Sequence, residues 1–357
     1  MSLFPRLARA EHENLLFFQH RDSGLKGVLA IHDTSLGPAV GGVRCWNYET
    51  EGQLVRDALR LSESASLSAA LFGCDAGGGK AILWANPEDK NEAMLRAFGI
   101  FLQGLGGRFI ASADLGTTSQ DMDLISKETT FVTGHIKGQT NEGDHSRITA
   151  RGVLLGMKAA AKVNFGSASL KGRKIAIQGI GKVGMALLEL LVLEGAQLYI
   201  SDIFFERVKN AKDKFFGVEM VSPDEIQFLP VDIFAPCAMG DLFTKPSIEK
   251  LRCKIIAGPA PNQLPNDQAA ADLAESGILY IPEFLLNSGD IIMVNAEIYG
   301  IPTSNCQKVV ERVYCLVENL LVKAKSTNRL PQQLAKEWAL ERVRSIRTLK
   351  KLYRPAH

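Results

Sequence analysis

The chain has 357 residues, 46% hydrophobic and 22% charged, a composition typical of a globular protein long enough for two domains. Its net charge of +2, with acidic and basic residues interspersed, argues against a nucleic-acid or membrane-surface partner. No segment has the form of a membrane span or a secretory signal, and the six cysteines show no CxxC pair and no metal-binding spacing. We therefore expect a cytoplasmic protein with reduced thiols and no metal site.

The first third of the chain predicts an α/β layer. A short strand at residues 27–32 is followed by a turn punctuated by glycine and proline, up to Trp46. Apolar residues at helical spacing predict a helix over residues 51–67. The next segments predict a strand, a helix, and a strand that runs into a loop: KAILWAN, KNEAMLRAFGIFLQGL and RFIASADLGTT. This alternation of strand and helix is typical of an α/β domain.

A second α/β unit is predicted after the polar segment HIKGQTNEGDHSRIT, so the domain boundary is expected near residues 135–145. A helix is predicted at 150–164, then a strand KIAIQ, a helix opened by GIGKVGMALLELLVLEGA, and a strand QLYISD. Later strands are expected at 231–235, 254–257 and 278–281, and closing helices at 306–325 and 331–352.

The strongest local motif is Gly179-x-Gly181-x-x-Gly184, placed directly between an apolar strand and an apolar helix. In a dinucleotide site the first glycine permits a tight turn, the second admits the pyrophosphate, and the third lets the helix pack on the strand. The next strand ends in Asp202, whose carboxylate suits the two hydroxyls of an adenosine ribose. No Arg or Lys follows at once, so the pattern favours NAD over NADP; the alternative is a glycine-rich turn without a ligand.

Taken together, these motifs resemble the Glu/Leu/Phe/Val dehydrogenase family, and its leucine dehydrogenases in particular. The similarity runs from the N-terminus to the final helices. It rests on a set of motifs that includes IHDTSLGPAVGGVRCW, GGGKAI, ADLGTTSQDMD, GMKAAAK, DIFAPCAMG, AGPAPNQL and NSGDIIMVNAE. The resemblance implies an α/β fold of two domains, an N-terminal substrate domain and a Rossmann NAD-binding domain, with a cleft between them.

The resemblance also implies domain limits and assembly. The substrate and oligomerisation domain would comprise residues 1–135 plus about 330–357, and the NAD domain residues 140–329. Enzymes of the family are commonly oligomers, so a homo-oligomer acting on a small molecule is expected.

By position in the family's motifs, Lys80 is the catalytic lysine and Asp114 its partner. The implied reaction interconverts an amine and a carbonyl: hydride leaves the carbon bearing nitrogen, and water attacks the resulting iminium. Lys80 would act as general base and Asp114 would shuttle protons while ammonia departs. This chemistry requires a neutral amine, so the pKa of Lys80 must be lowered by burial.

Further residues are assigned through the same resemblance. The cofactor would contact the glycine loop and residues beyond it: Gly179, Gly181, Lys182, Val183, Gly184, Asp202, Ala238 and Asn262. The substrate pocket would be formed by Val40, Gly41, Gly42, Ser68, Ala113, Asn262, Asn287, Ile291 and Val294.

The chain departs from its relatives where they bind a substrate carboxylate. The segment that reads much like G-M-T-Y-K in the family aligns with residues 64–68, so its lysine is replaced by Ser68. The residue before Asp114, often acidic in leucine dehydrogenases, is Ala113. A buried carboxylate without a cation is costly, so this loss bears directly on the substrate.

Three hypotheses follow. In the first, the enzyme acts on a substrate without a free α-carboxylate, such as an amine or a blocked amino acid. In the second, it is an ordinary amino-acid dehydrogenase whose substrate carboxylate is bound by other groups, such as Arg44, Asn262 and serine hydroxyls; the alternative for Arg44 is a structural role in its loop. In the third, it is a catalytically silent paralogue that binds NAD or a partner subunit.

Overall fold

A computed structural model describes residues 3–134, 145–238 and 240–349 of the chain. These residues form two compact units: the first contains 3–134, 291–303 and 339–349, and the second contains the remainder. Most of the boundary expected near residues 135–145 lies outside the described residues. The segment 291–303, expected in the NAD domain, belongs to the first unit, and residues 330–338, expected in the substrate domain, belong to the second.

The first unit is built on a five-stranded mixed sheet in the order β1-β2-β4-β3-β5. Its strands are β1 Asn14–His20, β2 Leu25–Asp33, β3 Ala39–Cys45, β4 Gly77–Leu83 and β5 Phe109–Ala113. Its N-terminal helices are α1 Phe4–Arg9, α2 Glu51–Phe72, α3 Glu92–Gly104 and α4 Ser119–Ile125. Strand β3 runs parallel to both β4 and β5, whereas β2 is antiparallel to β1 and β4.

Helices cover both faces of this sheet. Successive apolar residues along a strand point to opposite faces, so each face has apolar side chains to bury. Ile82 packs with Leu54 and Ala58 of α2, whereas Leu83, one residue later, packs with Phe98 of α3. Helix α2 begins with a capping box at Thr50 and ends at a left-handed glycine. The two faces of β4 therefore pack against different helices. Successive residues of the strand alternate between the α2 side and the α3 side.

The structure corrects the turn predicted between residue 32 and Trp46, because residues 39–45 form β3, an interior strand that lies between β4 and β5. Glycine is uncommon in the interior of strands, so the presence of Gly41 and Gly42 made this segment resemble a turn. They are required by close approach: a Cβ at Gly41 would overlap the carbonyl oxygen of Gly79. The glycine pair therefore belongs to a tightly packed strand.

The second unit contains a six-stranded sheet with only parallel pairings, in the order β11-β10-β9-β6-β7-β8. Its strands are β6 Lys174–Gln178, β7 Gln197–Ser201, β8 Glu219–Met220, β9 Ile233–Pro236, β10 Ile255–Ile256 and β11 Leu279–Tyr280. Read from β8, this is the order 3-2-1-4-5-6 of dinucleotide-binding folds. The predicted two-domain α/β architecture with a Rossmann-type sheet is confirmed.

The helices from residue 145 onward complete both units. They are α5 His145–Phe165, α6 Lys182–Leu193, α7 Phe205–Lys214, α8 Lys245–Ile248, α9 Asp267–Glu275, α10 Glu283–Leu286, α11 Gly289–Ile298, α12 Thr303–Thr327 and α13 Pro331–Leu349. In the described part of the chain, none of the helices is long and apolar enough to cross a membrane. The same residues contain no cluster of three His, Cys, Asp or Glu side chains suited to a metal ion.

Candidate active site

Lys80 lies in the middle of β4 and is only 7% exposed. It precedes Ile82 by two residues, so its side chain leaves the sheet on the face covered by α2. The three glycines before it are part of the same buried strand rather than a surface turn. A lysine in such a place is uncommon unless its amine is paired or neutral.

The Lys80 amine contacts the carboxylate of Asp114, through Oδ2. Asp114 follows the last residue of β5, and its side chain retains 27% exposure. Gly42 lies beneath the pair: a Cβ there would come within 2.5 Å of the Asp114 Cβ and 3.0 Å of the Lys80 Nζ. The side-chain-free position on β3 therefore leaves room for the lysine and the carboxylate to meet.

A turn after β5 fixes the backbone of Asp114. Its N–H donates to Thr117 Oγ1 at 2.8 Å, and its carbonyl oxygen accepts from the Thr117 N–H at 2.9 Å. The Thr117 hydroxyl donates in turn to the Val43 carbonyl at 2.7 Å, which ties the turn to β3. Gly116 has φ +78°, a conformation that favours glycine. The D-L-G-T motif is thus a turn that presents the aspartate.

Arg44 is the second cation on Asp114. Its Nε lies 3.2 Å from Asp114 Oδ2, and its other prong donates to Asp57 Oδ2 at 2.6 Å. The Tyr48 hydroxyl donates to the same oxygen of Asp57. Arg44 is 6% exposed, and its guanidinium lies between two carboxylates, one on α2 and one after β5.

Burial and charge set the ionisation of these groups. Burial lowers the pKa of Lys80, and the neighbouring Arg44 acts in the same direction, while Asp114 opposes them. Burial alone would raise the pKa of Asp114, but Lys80 and Arg44 outweigh it and hold that pKa well below its usual range. Burial would lower the pKa of Arg44, but the two carboxylates outweigh it and raise that pKa. The carboxylate therefore stays ionised, and the lysine is the group of the pair whose release of a proton is made easier.

Sequence reasoning missed part of this network. Asp57 and Tyr48 were not among the predicted site residues, and Arg44 was considered as a structural residue of its loop or as a ligand for a substrate carboxylate. Asp57 lies on the sheet-facing side of α2, which helical spacing alone could have indicated. Its partner on β3 could not be found, because β3 itself was read as a turn.

The predicted substrate-pocket residues are distributed over several elements. Val40, Gly41 and Gly42 lie on β3, Ala113 ends β5, and Ser68 lies on α2, where it is 2% exposed. Ile291 and Val294 are buried on α11, in the part of that helix that belongs to the first unit. The hydroxyls of Ser66, Ser68 and Ser112 are buried and have no hydrogen-bond partner in the described structure. Ser68, predicted from the sequence to replace the family's carboxylate lysine, is thus small and neutral, and its hydroxyl has no hydrogen-bond partner in the described structure.

The glycine loop of the second unit follows β6 and opens α6. Gly179 has φ +100°, and a Cβ at Gly184 would overlap the Gly179 carbonyl oxygen, so helix and loop pack too closely for a side chain there. At Gly181 a Cβ would meet nothing within 4 Å. Space at the second glycine, with crowding at the first and third, is the pattern expected of a loop that admits a pyrophosphate.

Asp202 follows β7 and is tied to the glycine loop. Its carboxylate accepts the Ile180 N–H at 2.7 Å and the Phe204 N–H at 2.9 Å. Arg207, in the first turn of α7, stacks on the Phe204 ring and reaches to 3.7 Å from Asp202 Oδ2. The sequence pattern had suggested that no cation lies beside Asp202, and the fold brings one there from five residues further on.

The other predicted contacts of the second unit lie at the carboxyl ends of its strands or on nearby helices. Lys182 and Val183 form the exposed and half-buried start of α6, and Ala238 follows β9 against Gly179. Asn262 is buried with φ +56°, and Asn287 caps α10 through its N–H to the Glu283 carbonyl. Gln178 Oε1 and Ser201 Oγ, at the ends of the paired strands β6 and β7, are buried without a partner in the described structure. The loop after β6 lies at the switch point between β6 and β9, where this fold binds its ligands.

The sheet order and glycine loop of one unit and the buried lysine–carboxylate pair of the other define a two-domain α/β dehydrogenase. Comparison with known proteins places it within one family. The family model described as Glu/Leu/Phe/Val dehydrogenase, dimerisation domain, matches residues 12–131, and the model Glutamate/Leucine/Phenylalanine/Valine dehydrogenase matches residues 202–345. The chain belongs to the Glu/Leu/Phe/Val dehydrogenase family, as its motifs predicted, and it is an enzyme of the amino-acid dehydrogenase class.

Relatives match over nearly their full lengths. The chain is 43% identical to leucine dehydrogenase of Geobacillus stearothermophilus over 97% of this chain and 95% of the relative. It is 39% identical to valine dehydrogenase of Streptomyces virginiae, over 94% and 95% respectively. The crystal structure of L-tryptophan dehydrogenase from Nostoc punctiforme superposes with a TM-score of 0.78 at 37% identity, over 97% of this chain and all of that chain.

Proposed function

We propose that the chain is an NAD-dependent dehydrogenase that interconverts an amine and a carbonyl compound, with Lys80 as general base and Asp114 as proton relay. The observation that carries this proposal is the buried contact between the Lys80 amine and the Asp114 carboxylate. A general base works best when its pKa lies near the working pH, and burial lowers the pKa of Lys80 toward that range. Asp114 beside it, in contact with Lys80 and partly exposed, would carry a proton between Lys80 and the departing ammonia, and would hold that proton only briefly because its own pKa is low.

The residues of the second unit fit NAD. The open space at Gly181 suits the pyrophosphate, and the N-terminus of α6 supplies free N–H groups to it. The Asp202 carboxylate, each oxygen of which accepts one backbone N–H, keeps lone pairs for ribose hydroxyls and would repel a 2′-phosphate. NAD held by these residues would supply the hydride acceptor for the substrate carbon that carries the nitrogen.

The first candidate substrate has no free carboxylate beside that carbon. Of the two buried cations near the site in the described structure, Lys80 contacts Asp114, and Arg44 is held by Asp57 and Asp114. Ser68 offers only a hydroxyl without a partner. A neutral hydroxyl can form a hydrogen bond with an uncharged polar group, such as an amide or an ester, but it supplies no charge to balance an anion. The buried aliphatic residues Val40, Ile291 and Val294 support an apolar side chain on the substrate.

The second candidate is an ordinary apolar amino acid, which the similarity to leucine, valine and tryptophan dehydrogenases favours. Its carboxylate would need a cation, and Arg44 already serves Asp57 and Asp114. Drawing Arg44 away from Asp57 would leave a mostly buried carboxylate without its arginine, at a cost on the order of 3–5 kcal/mol.

A panel of amines, amino-acid amides, amino acids and keto compounds, followed by NADH absorbance, separates the two candidates. Turnover of amines or amides with little turnover of leucine is expected. In the Ser68→Lys variant, turnover of leucine should appear and that of amines should fall; Ser66→Lys on the same helix serves as the matched control. Efficient use of leucine by the unaltered enzyme would overturn the first candidate, and a preference for NADP would overturn the role given to Asp202.

We also propose that the chain forms a homo-oligomer. The first unit matches a domain described by its role in dimerisation, and the edge strand β1 carries Phe17 with 57% of its surface exposed. Exposed aromatic residues on a strand edge are typical of interfaces. Light scattering on the purified chain should give a mass above 38.9 kDa at micromolar concentration, and a monomer mass would contradict the proposal.

A further inference from the structure

We propose that Arg44 is a positioning residue for the Lys80–Asp114 pair: its guanidinium bridges Asp57 and Asp114 and remains as the cation of Asp114 when Lys80 releases its proton. This inference rests on the proposed function, since it assumes that Lys80 acts as a base. Asp114, Arg44 and Asp57 then form a continuous series of ion pairs from the Lys80 amine to helix α2.

The geometry of Arg44 is that of a bridge. Its two prongs point to carboxylates on different elements, at 3.2 Å and 2.6 Å, and the side chain is almost fully buried. A guanidinium is planar and rigid, so it fixes the direction of both contacts, which a lysine ammonium would not do. The Asp114 carboxylate is therefore held in one orientation before any substrate arrives.

The outer end of the bridge is itself anchored. Asp57 belongs to α2 and accepts the Tyr48 hydroxyl as well as the Arg44 guanidinium. The Tyr48 carbonyl accepts the indole N–H of Trp84 at 2.8 Å, just after β4. Arg44 is thus tied to both the helix and the sheet that enclose Lys80.

The charges explain what the bridge does for the chemistry. With Lys80 protonated, the two cations and two carboxylates cancel. When Lys80 loses its proton, Arg44 remains on the same oxygen of Asp114 that the amine contacts. No buried carboxylate is then left without a cation, which would otherwise oppose deprotonation. The charged groups that act on Lys80 are thus Asp114, Arg44 and Asp57, and the two carboxylates oppose Arg44 in their effect on its pKa.

The test is the pH profile of kcat/KM for amine oxidation, whose acid limb reports the free-enzyme ionisation of Lys80. In Arg44→Met the limb should move to higher pH by about one unit or more, because a nearby positive charge is lost. In Asp57→Asn it should move to lower pH, because a negative charge is lost. Arg44→Lys should hold the limb near its original position while kcat falls, since one ammonium cannot bridge both carboxylates.

A matched control and a second readout make the outcomes decisive. Arg347→Met removes another arginine paired with a buried aspartate, Asp33, in the same unit, and should lower stability without moving the limb. The NMR titration of the Lys80 side chain, assigned with Lys80→Arg, follows the same shifts without requiring turnover. The positioning role is overturned if the acid limb of the pH profile does not move in these variants. It is also overturned if the limb moves in the same direction in Arg44→Met and Asp57→Asn. An unaltered enzyme without activity toward any substrate overturns the proposed function instead, and the NMR titration still decides the role of Arg44.

Discussion

At the scale of single residues, Lys80 and Lys90 make an informative pair. Both amines contact an aspartate carboxylate in the first unit, and both side chains are mostly buried. Burial lowers the pKa of Lys80, and the arginine that shares its carboxylate acts in the same direction; no arginine is paired with the carboxylate of Lys90 among the ion pairs of the described residues. A buried ion pair is therefore not a sign of catalysis by itself, and the surroundings of the pair distinguish the two lysines.

Lys80→Met is expected to reduce turnover by about 10²–10⁴-fold, the usual contribution of a general base. Asp114 keeps Arg44 as its cation, so the fold should persist. Lys90→Met removes a comparable ion pair and should leave kcat within a few-fold of the original. Steady-state kinetics with thermal melts on both variants check this; equal losses in the two variants would mean that the Lys80 pair is structural.

At the scale of elements, β3 is a strand whose glycines leave space for neighbouring groups that side chains would otherwise occupy. Gly42 leaves room above β3 for the Lys80–Asp114 contact, and Ser112 of β5 is its neighbour in the sheet. Such a segment contradicts strand propensity, so local pattern could not identify it. The need for glycine at positions 41 and 42 is explained by the atoms of neighbouring segments that a Cβ would contact there.

Gly42→Ala should separate the lysine from the carboxylate, because the new Cβ would lie 2.5 Å from the Asp114 Cβ. We expect a loss of about 1–3 kcal/mol in the free energy of unfolding and at least a tenfold fall in kcat. Gly104→Ala, at the end of α3 with nothing within 4 Å of the added Cβ, is the control and should be neutral or slightly stabilising. Denaturant unfolding and kinetics measure both effects, and an unchanged kcat in Gly42→Ala would contradict the geometry.

The dinucleotide loop offers a second contrast between two glycines of one element. Gly181→Ala meets no protein atom, so its stability should match the original while the KM for NAD rises at least about tenfold. Gly184→Ala would overlap the Gly179 carbonyl and should lower stability by about 1–3 kcal/mol. Fluorescence titration with NADH and thermal melts separate these effects. Undiminished NADH binding by Gly181→Ala would remove the loop from the cofactor site.

At the scale of the whole molecule, the buried charges link stability to pH. The pKa of Asp114 is lowered in the folded chain, so its contribution is present above about pH 4 and is lost as pH falls through the lowered pKa. Asp114→Asn should therefore melt below the original protein at neutral pH, and the difference in Tm should shrink in acid. Calorimetry between pH 7 and pH 2 tests the sign; a difference that grows as pH falls would contradict it.

The family and the fold class were accessible from the sequence because they reside in local patterns. A glycine loop between an apolar strand and an apolar helix is contiguous in the chain, and so are GGGK and D-L-G-T. The strand KIAIQ was predicted with the bounds that the structure gives it, since its apolar residues form a fully buried central strand. These motifs identify the enzyme class without knowledge of distant contacts.

The sequence alone thus determined the family, the α/β architecture and the two segments that carry Lys80 and the glycine loop. Three features became visible only in the folded chain: residues 39–45 form an interior strand, Arg44 bridges Asp57 and Asp114, and Arg207 reaches Asp202. The physical reason is the range of the interactions. Backbone periodicity and turn chemistry act over a few neighbouring residues, whereas burial and charge pairing join residues 13 to 70 positions apart in the Arg44 bridge, and they exist only once the sheet and helices have packed.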